Sequence, residues 1–175
     1  DTSQLRFHTG ARPVLIIDAP GHKEFLKNMI TGAASAEAAL LIVDAAEGVR
    51  EQTRRHGYLL HLLGLTQIAV VVNKMDLVGW SEHRFHQVEG EVRAYLAGIG
   101  ITPTHVVPVS ARGGDNIKDQ GDAAPWYRGV TVLEALDGFA AVAPATDQPL
   151  RLPVQDVYKF DHRRIVAGRI ESGRL

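Results

Sequence analysis

Ile68-Ala69-Val70-Val71-Val72-Asn73-Lys74-Met75-Asp76 is a five-residue apolar run that ends abruptly in a loop carrying an amide, an amine and a carboxylate. The run offers water no polar residue on either face. That is the pattern of a strand buried on both sides, as in parallel sheets. The loop has a specific chemistry. An Asp carboxylate can accept two parallel hydrogen bonds, from the ring N–H and the exocyclic amine of guanine. Adenine presents no such pair of donors on that edge, and a site built to bond one partner discriminates against the analogue that leaves it unpaired. In such a site Asn73 bridges loops and touches the base, and the aliphatic stem of Lys74 lies along the base face. Read alone, the tetrapeptide is equally a strand ending in an ordinary polar turn.

The pattern recurs. Leu15-Ile16-Ile17 ends at Asp18, Leu40-Leu41-Ile42-Val43 at Asp44, and Val106-Val107-Pro108-Val109 at Ser110. Helical patterns separate the runs, which gives βαβ units and a mostly parallel sheet. Ligands of open α/β sheets bind beyond the carboxyl ends of the strands, so all four polar residues are expected at one sheet edge. Asp44 is assigned a structural role there before a chemical one.

Composition excludes other classes. The 175 residues carry a net charge of -1 and no cysteine, with 45% hydrophobic and 22% charged residues. That is ordinary for a globular domain, gives no bulk attraction to nucleic acid or membrane, and rules out disulfides and thiolate metal sites. No apolar stretch reaches membrane-spanning length and no signal-peptide pattern opens the chain.

Along the chain, residues 1–10 suggest a strand, residues 10–13 a turn and residues 14–17 a second strand. A helix is expected over 24–31 with Phe25, Met29 and Ile30 inward. Another is expected over 51–63, with Tyr58, Leu59, Leu62 and Leu63 on its apolar side. Ser81 is a candidate N-cap for a helix ending near Gly98, with Phe85, Val88, Val92 and Leu96 inward, and Thr131 caps a last helix over 132–140. The resulting division is a nucleotide-binding domain over 1–142, a Pro-rich linker over 143–150, and two strands over 151–175 that open an incomplete β-barrel domain.

Asp18-Ala19-Pro20-Gly21-His22 is the second chemical signal. Asp18 at a strand end can hold nucleotide-bound magnesium through water. Gly21, lacking a side chain, lets its N–H approach a terminal phosphate, and the helix that follows favours anions. His22 is the candidate catalytic residue, orienting an attacking water. Ser110-Ala111, with Gly113-Gly114 behind it, can bring backbone N–H groups to the guanine carbonyl oxygen. His83 and His86 suit a solvated helix face better than a metal pair, and Trp126-Tyr127 a packed loop anchor.

These pieces, in this order, resemble the GTP-binding domain of the translation-factor GTPase superfamily. Asp18-x-x-Gly21, Asn73-Lys74-x-Asp76 and Ser110-Ala111 match its three loops, and Asn28-Met29-Ile30-Thr31-Gly32, Gln52-Thr53-Arg54-Arg55-His56 and Pro125-Trp126-Tyr127 extend the likeness over essentially the whole chain. The resemblance implies an α/β three-layer P-loop-GTPase-like fold, GTP/GDP and Mg2+ as ligands, and a cytoplasmic setting. It also implies the nucleotide-binding set Asp18, Ala19, Pro20, Gly21, His22, Asn73, Lys74, Met75, Asp76, Ser110 and Ala111. Two branches compete. Arg55, where elongation factors usually carry Glu, and Asn73-Lys74-Met75-Asp76-Leu77-Val78 favour the GTPase subunit of bacterial sulfate adenylyltransferase, sometimes fused to adenylylsulfate kinase. Its GTP hydrolysis drives a catalytic partner subunit that makes adenylyl sulfate from ATP and sulfate. The alternative is an elongation factor Tu/1-alpha-like carrier of aminoacyl-tRNA, the one reading that brings in nucleic acid. A third is a non-hydrolysing interaction module. It arises because the phosphate-loop motif G-x-x-x-x-G-K-[ST] is absent: none of Lys23, Lys27, Lys74, Lys118 and Lys159 precedes Ser or Thr. The resemblance places that loop, and a magnesium-binding switch Thr, upstream of Asp1, so the expectation is an N-terminally truncated domain.

Overall fold

A computed structural model of the chain describes residues 3–18, 36–141 and 145–174. The expected helix over 24–31 lies outside them. The described residues form two compact units, Asp1–Ala140 and Ala141–Leu175.

The centre of the first unit is a parallel sheet in the order β3 (Ala39–Asp44), β4 (Ile68–Asn73), β5 (Val106–Pro108). Strand β4 is unbroken in sequence because it is covered twice. Ile68, Val70 and Val72 face one cluster with Leu60 of helix α1 (Glu51–Leu62) and Phe85, Val88, Val92 and Leu96 of helix α2 (Glu82–Gly98). Ala69 and Val71 face the other side, where Ala135 of helix α3 (Val132–Gly138), Phe139 and Val107 pack. Alternate residues of one strand thus feed two cores, giving helix, sheet, helix. Each fully buried valine contributes about 1.5–3 kcal/mol.

Local signals set the helix ends. Ser81 Oγ accepts from Arg84 N at 3.2 Å, and Thr131 forms a capping box with Glu134. Helix α1 differs from its expected phase: Tyr58 and Leu62 are exposed, and the buried face is Thr53, Gly57 and Leu60. The cause is Gly57. A Cβ there would stand 3.0 Å from Tyr95 Cε1 and 3.2 Å from Leu96 Cδ2, so the missing side chain lets α1 settle against α2 along a line that hydrophobicity does not mark. Gly64, at a φ of 72°, ends the helix.

Strand β2 (Pro13–Asp18) also differs from expectation. It pairs antiparallel with β1 (Ser3–His8) and, among the described residues, has no ladder to the parallel sheet. The hairpin is fastened to α3 instead. Arg12 donates to the carbonyls of Leu136 and Asp137, at the helix C-terminus where a cation is favoured. So three of the four apolar runs, not four, converge through described strands.

An aromatic group packs behind the sheet edge: Phe85 lies 5.3 Å from Trp126, whose Nε1 donates to Trp80 O at 3.0 Å. Tyr127 donates to Val130 O at 2.8 Å. Burial first, then the carboxylates of Glu89 and Glu134, push its phenol up to about 12 from an ordinary 10.0. A folded value above the unfolded one means stability that is fully present below pH 10.0 and lost as pH rises toward about 12. Tyr127→Phe is therefore expected to flatten part of that alkaline slope. Thermal melting at successive pH values checks it, and identical slopes would assign the loss to other groups.

The second unit is a hairpin of β6 (Val154–Phe160) and β7 (Arg163–Gly168), turning at Asp161 with a φ of 49°. Val157, Tyr158, Phe160, Ile165 and Val166 are all exposed on it. No described helix in either unit is long and apolar enough to cross a membrane.

Candidate functional site

The site is built where β3, β4 and β5 end. Asp44 and Asn73 are register partners on adjacent parallel strands, and Ala45 N donates to Asn73 O at 2.8 Å. Val109 N bonds Val72 O, which carries β5 onward to Ser110 at the same edge. Tertiary pairing thus gathers residues separated by tens of positions.

Asn73 joins the loops. Its Oδ1 accepts Lys74 N at 2.7 Å and Ala111 N at 3.0 Å, so one amide oxygen ties the 73–76 loop to the 110–114 loop. Lys74 takes the left-handed conformation, with a φ of 63°. For a residue bearing a Cβ that costs about 1–2 kcal/mol. It is held there by the Asn73 bond, by Leu77 N donating to Lys74 O at 3.0 Å, and by a 2.6 Å ion pair between its Nζ and Asp44 Oδ2. Met75 is not at the surface. It is 0% exposed in the main core, with its N–H on Val109 O at 3.1 Å and its carbonyl accepting Trp80 N at 2.9 Å. Its part in the site is anchorage from below. Asp76 opens outward from the short 3-10 helix Met75–Val78, and no described residue donates a hydrogen bond to its carboxylate.

Ser110 is buried, and its Oγ accepts Gly113 N at 3.2 Å while its carbonyl accepts Gly114 N at 2.8 Å. With Ala111 N engaged by Asn73, Arg112 carries the N–H of this turn that has no partner among the described residues. Asn116 braces the loop from within: left-handed and 1% exposed, it donates Nδ2 to Pro108 O at 2.8 Å and accepts Gly121 N at 3.0 Å on Oδ1. Sequence reasoning passed over Asn116, although Asn in a Gly- and Asp-rich loop is a residue that tolerates the left-handed conformation.

Asp44 stands at the same sheet edge, beside Asn73. Burial alone would raise its carboxyl. The Lys74 hydrogen bond and the N–H groups of Ala46 and Glu47 together outweigh that and hold it below its ordinary value. Lys74, paired with it, is raised.

Of the other loop, Asp18 ends β2 and is exposed, whereas Ala19, Pro20, Gly21 and His22 lie outside the described residues. Among the described residues no three His, Cys, Asp or Glu side chains cluster to hold a metal ion. The exposed Asp18 carboxylate is an oxygen donor of the kind that can hold a nucleotide's magnesium through water. His86 contacts Glu82 and Glu89 on an exposed helix face, a surface charge cluster.

The model of the elongation factor Tu GTP-binding domain matches residues 1–142. Elongation factor 1-alpha of Thermococcus onnurineus is 45% identical over 176 residues, and those of Thermococcus sibiricus and Pyrococcus furiosus are 47% and 44% identical. Each alignment covers 100% of this chain and 41% of the relative, so the chain spans about two fifths of their length. In structure the chain is similar to sup35 complexed with GDP, with a TM-score of 0.64 and 31% identity over 97% of this chain and 42% of that one. Sup35 complexed with GMPPNP gives a TM-score of 0.63 and 30% identity, with the same coverage.

These relatives overturn the preference for the sulfate adenylyltransferase subunit, and with it the adenylyl-transferring partner and the role in sulfate assimilation. Arg55, one of the two features behind that preference, makes a 2.7 Å i,i+4 pair with Glu51 on the surface of α1. A pair of that kind is worth about 0.3–0.5 kcal/mol and does not define a branch. On the matched model and the identity of its relatives, the chain belongs to the elongation factor Tu GTP-binding domain family.

Proposed function

We propose that this chain is the guanine-nucleotide-binding part of a translation elongation GTPase. The observation that carries the reading is the Asn73 amide, which fastens the Asn73–Asp76 loop to the Ser110–Ala111 loop and leaves the Asp76 carboxylate free at the sheet edge. Asp76 accepts the ring N–H and amine of guanine, the Lys74 stem lies along the base, and the Ser110–Ala111 turn meets the guanine carbonyl oxygen. Asp18 holds the nucleotide's magnesium through water. Gly21, preceded by Ala19 and Pro20, gives its N–H to the terminal phosphate, and His22 orients the attacking water. Hydrolysis then proceeds by positioning and electrostatics, and loss of the third phosphate releases the loop after Asp18. The name shared by the relatives, elongation factor 1-alpha, supports aminoacyl-tRNA delivery as the work of the whole protein.

Titration of the chain with fluorescent GDP in the presence of magnesium tests this. Displacement by GTP but not by ATP is the expected result. Equal displacement by ATP would overturn the guanine reading, and no binding would favour a folded interaction module.

A further inference from the structure

Two opposite charges meet at the sheet edge where the backbone turns alone do not need them. Asp44 Oδ1 already accepts Ala46 N at 2.8 Å and Glu47 N at 3.2 Å, which shapes the turn after β3. Its second oxygen, Oδ2, faces Lys74 Nζ at 2.6 Å. The turn is held from behind by α2: Arg84 donates Nε to Ala45 O at 2.7 Å and Nη2 to Ala46 O at 2.9 Å. Gly48 closes it, donating to Asp44 O at 2.8 Å from a φ of 71°. A Cβ on Gly48 would stand 3.2 Å from both Arg84 Nη2 and Glu91 Oε2, so the packing around the brace is tight. The carboxylate is thus a fixed point, with 19% of its side chain exposed, while Lys74 is 54% exposed on a flexible four-carbon stem.

We propose that Asp44 is a positioning residue of the guanine site: its braced carboxylate holds the Lys74 ammonium and so orders the Lys74 side chain before nucleotide arrives. A lysine ordered in advance loses less freedom on binding, which appears as affinity. The proposal rests on the guanine reading of the Asn73–Asp76 loop, and its test separates the two.

Asp44→Asn keeps an oxygen for the Ala46 and Glu47 N–H groups and removes only the charge. Fluorescent-GDP affinity is measured on the full chain for the wild type, Asp44→Asn, Lys74→Met and the double variant. Asp44→Asn is expected to bind about fivefold more weakly. Added to Lys74→Met it should cost nothing further, since its effect passes through Lys74. Without nucleotide, amide hydrogen exchange at Lys74 and Met75 should rise in Asp44→Asn while exchange in α2 stays unchanged. Additive losses in the double variant, or exchange rising throughout the unit, would assign Asp44 a merely structural role and overturn the proposal. Unchanged affinity and exchange would also overturn it. A wild-type chain that binds no fluorescent GDP defeats the guanine reading itself, and the exchange measurement still decides whether Asp44 orders Lys74.

Discussion

Asp76→Asn is expected to weaken GTP and GDP binding by about a hundredfold while sparing xanthosine nucleotides. The carboxylate accepts two donors in parallel. An asparagine there accepts one and turns an N–H toward the guanine amine, leaving two donors face to face. Truncating one partner of a desolvated, charge-assisted pair costs about 2–5 kcal/mol, and a hundredfold corresponds to about 2.7 kcal/mol. Xanthine carries a carbonyl where guanine carries the amine, so the same N–H finds an acceptor. The side chain is exposed and accepts no hydrogen bond from a described residue, so the substitution should leave the fold intact. Competition of GTP and xanthosine triphosphate against fluorescent GDP measures the switch. If neither affinity changes, the guanine site is misassigned.

Met75→Ala is expected to damage stability and binding together. Met75 is fully buried against the cluster that includes Val72 and Phe85, and its backbone pins the loop to Val109 and Trp80. Emptying such a site costs about 2–5 kcal/mol, a large share of the 5–15 kcal/mol that holds a domain together. Leu96→Ala, deep in the same core but on α2, serves as the control, with a similar stability loss. Denaturant unfolding should rank both variants well below wild type. Under conditions where each remains folded, fluorescent-GDP affinity should fall for Met75→Ala and hold for Leu96→Ala. Equal affinities in the two variants would show that the base loop keeps its geometry without the Met75 anchor.

Much of this was legible from residues close together in the chain. The apolar run before Asn73 is a doubly covered strand because every side chain in it needs burial, whichever face it points to. Ser81 and Thr131 start helices because their oxygens satisfy N–H groups three residues away. The α1 face was misread because Gly57 contributes no hydrophobicity, only room for Tyr95 and Leu96, which are far away in sequence. Asp18 was expected at the common edge from its strand end, and the described ladder of β2 is the antiparallel one to β1. Branch preference failed for a related reason: it leaned on Arg55, whose contact is a local surface pair.

The sequence by itself determined the parallel α/β class and the helix caps, since each depends on periodicity or on hydrogen bonds within a few residues. Only the tertiary structure decided that Asn73 spans to Ala111, that Met75 faces the core and Asp76 the solvent, and that Asp44, braced by Arg84, receives Lys74. Those pairings join residues thirty or more positions apart. Strand register and helix packing set their distances, and no local propensity encodes a distance.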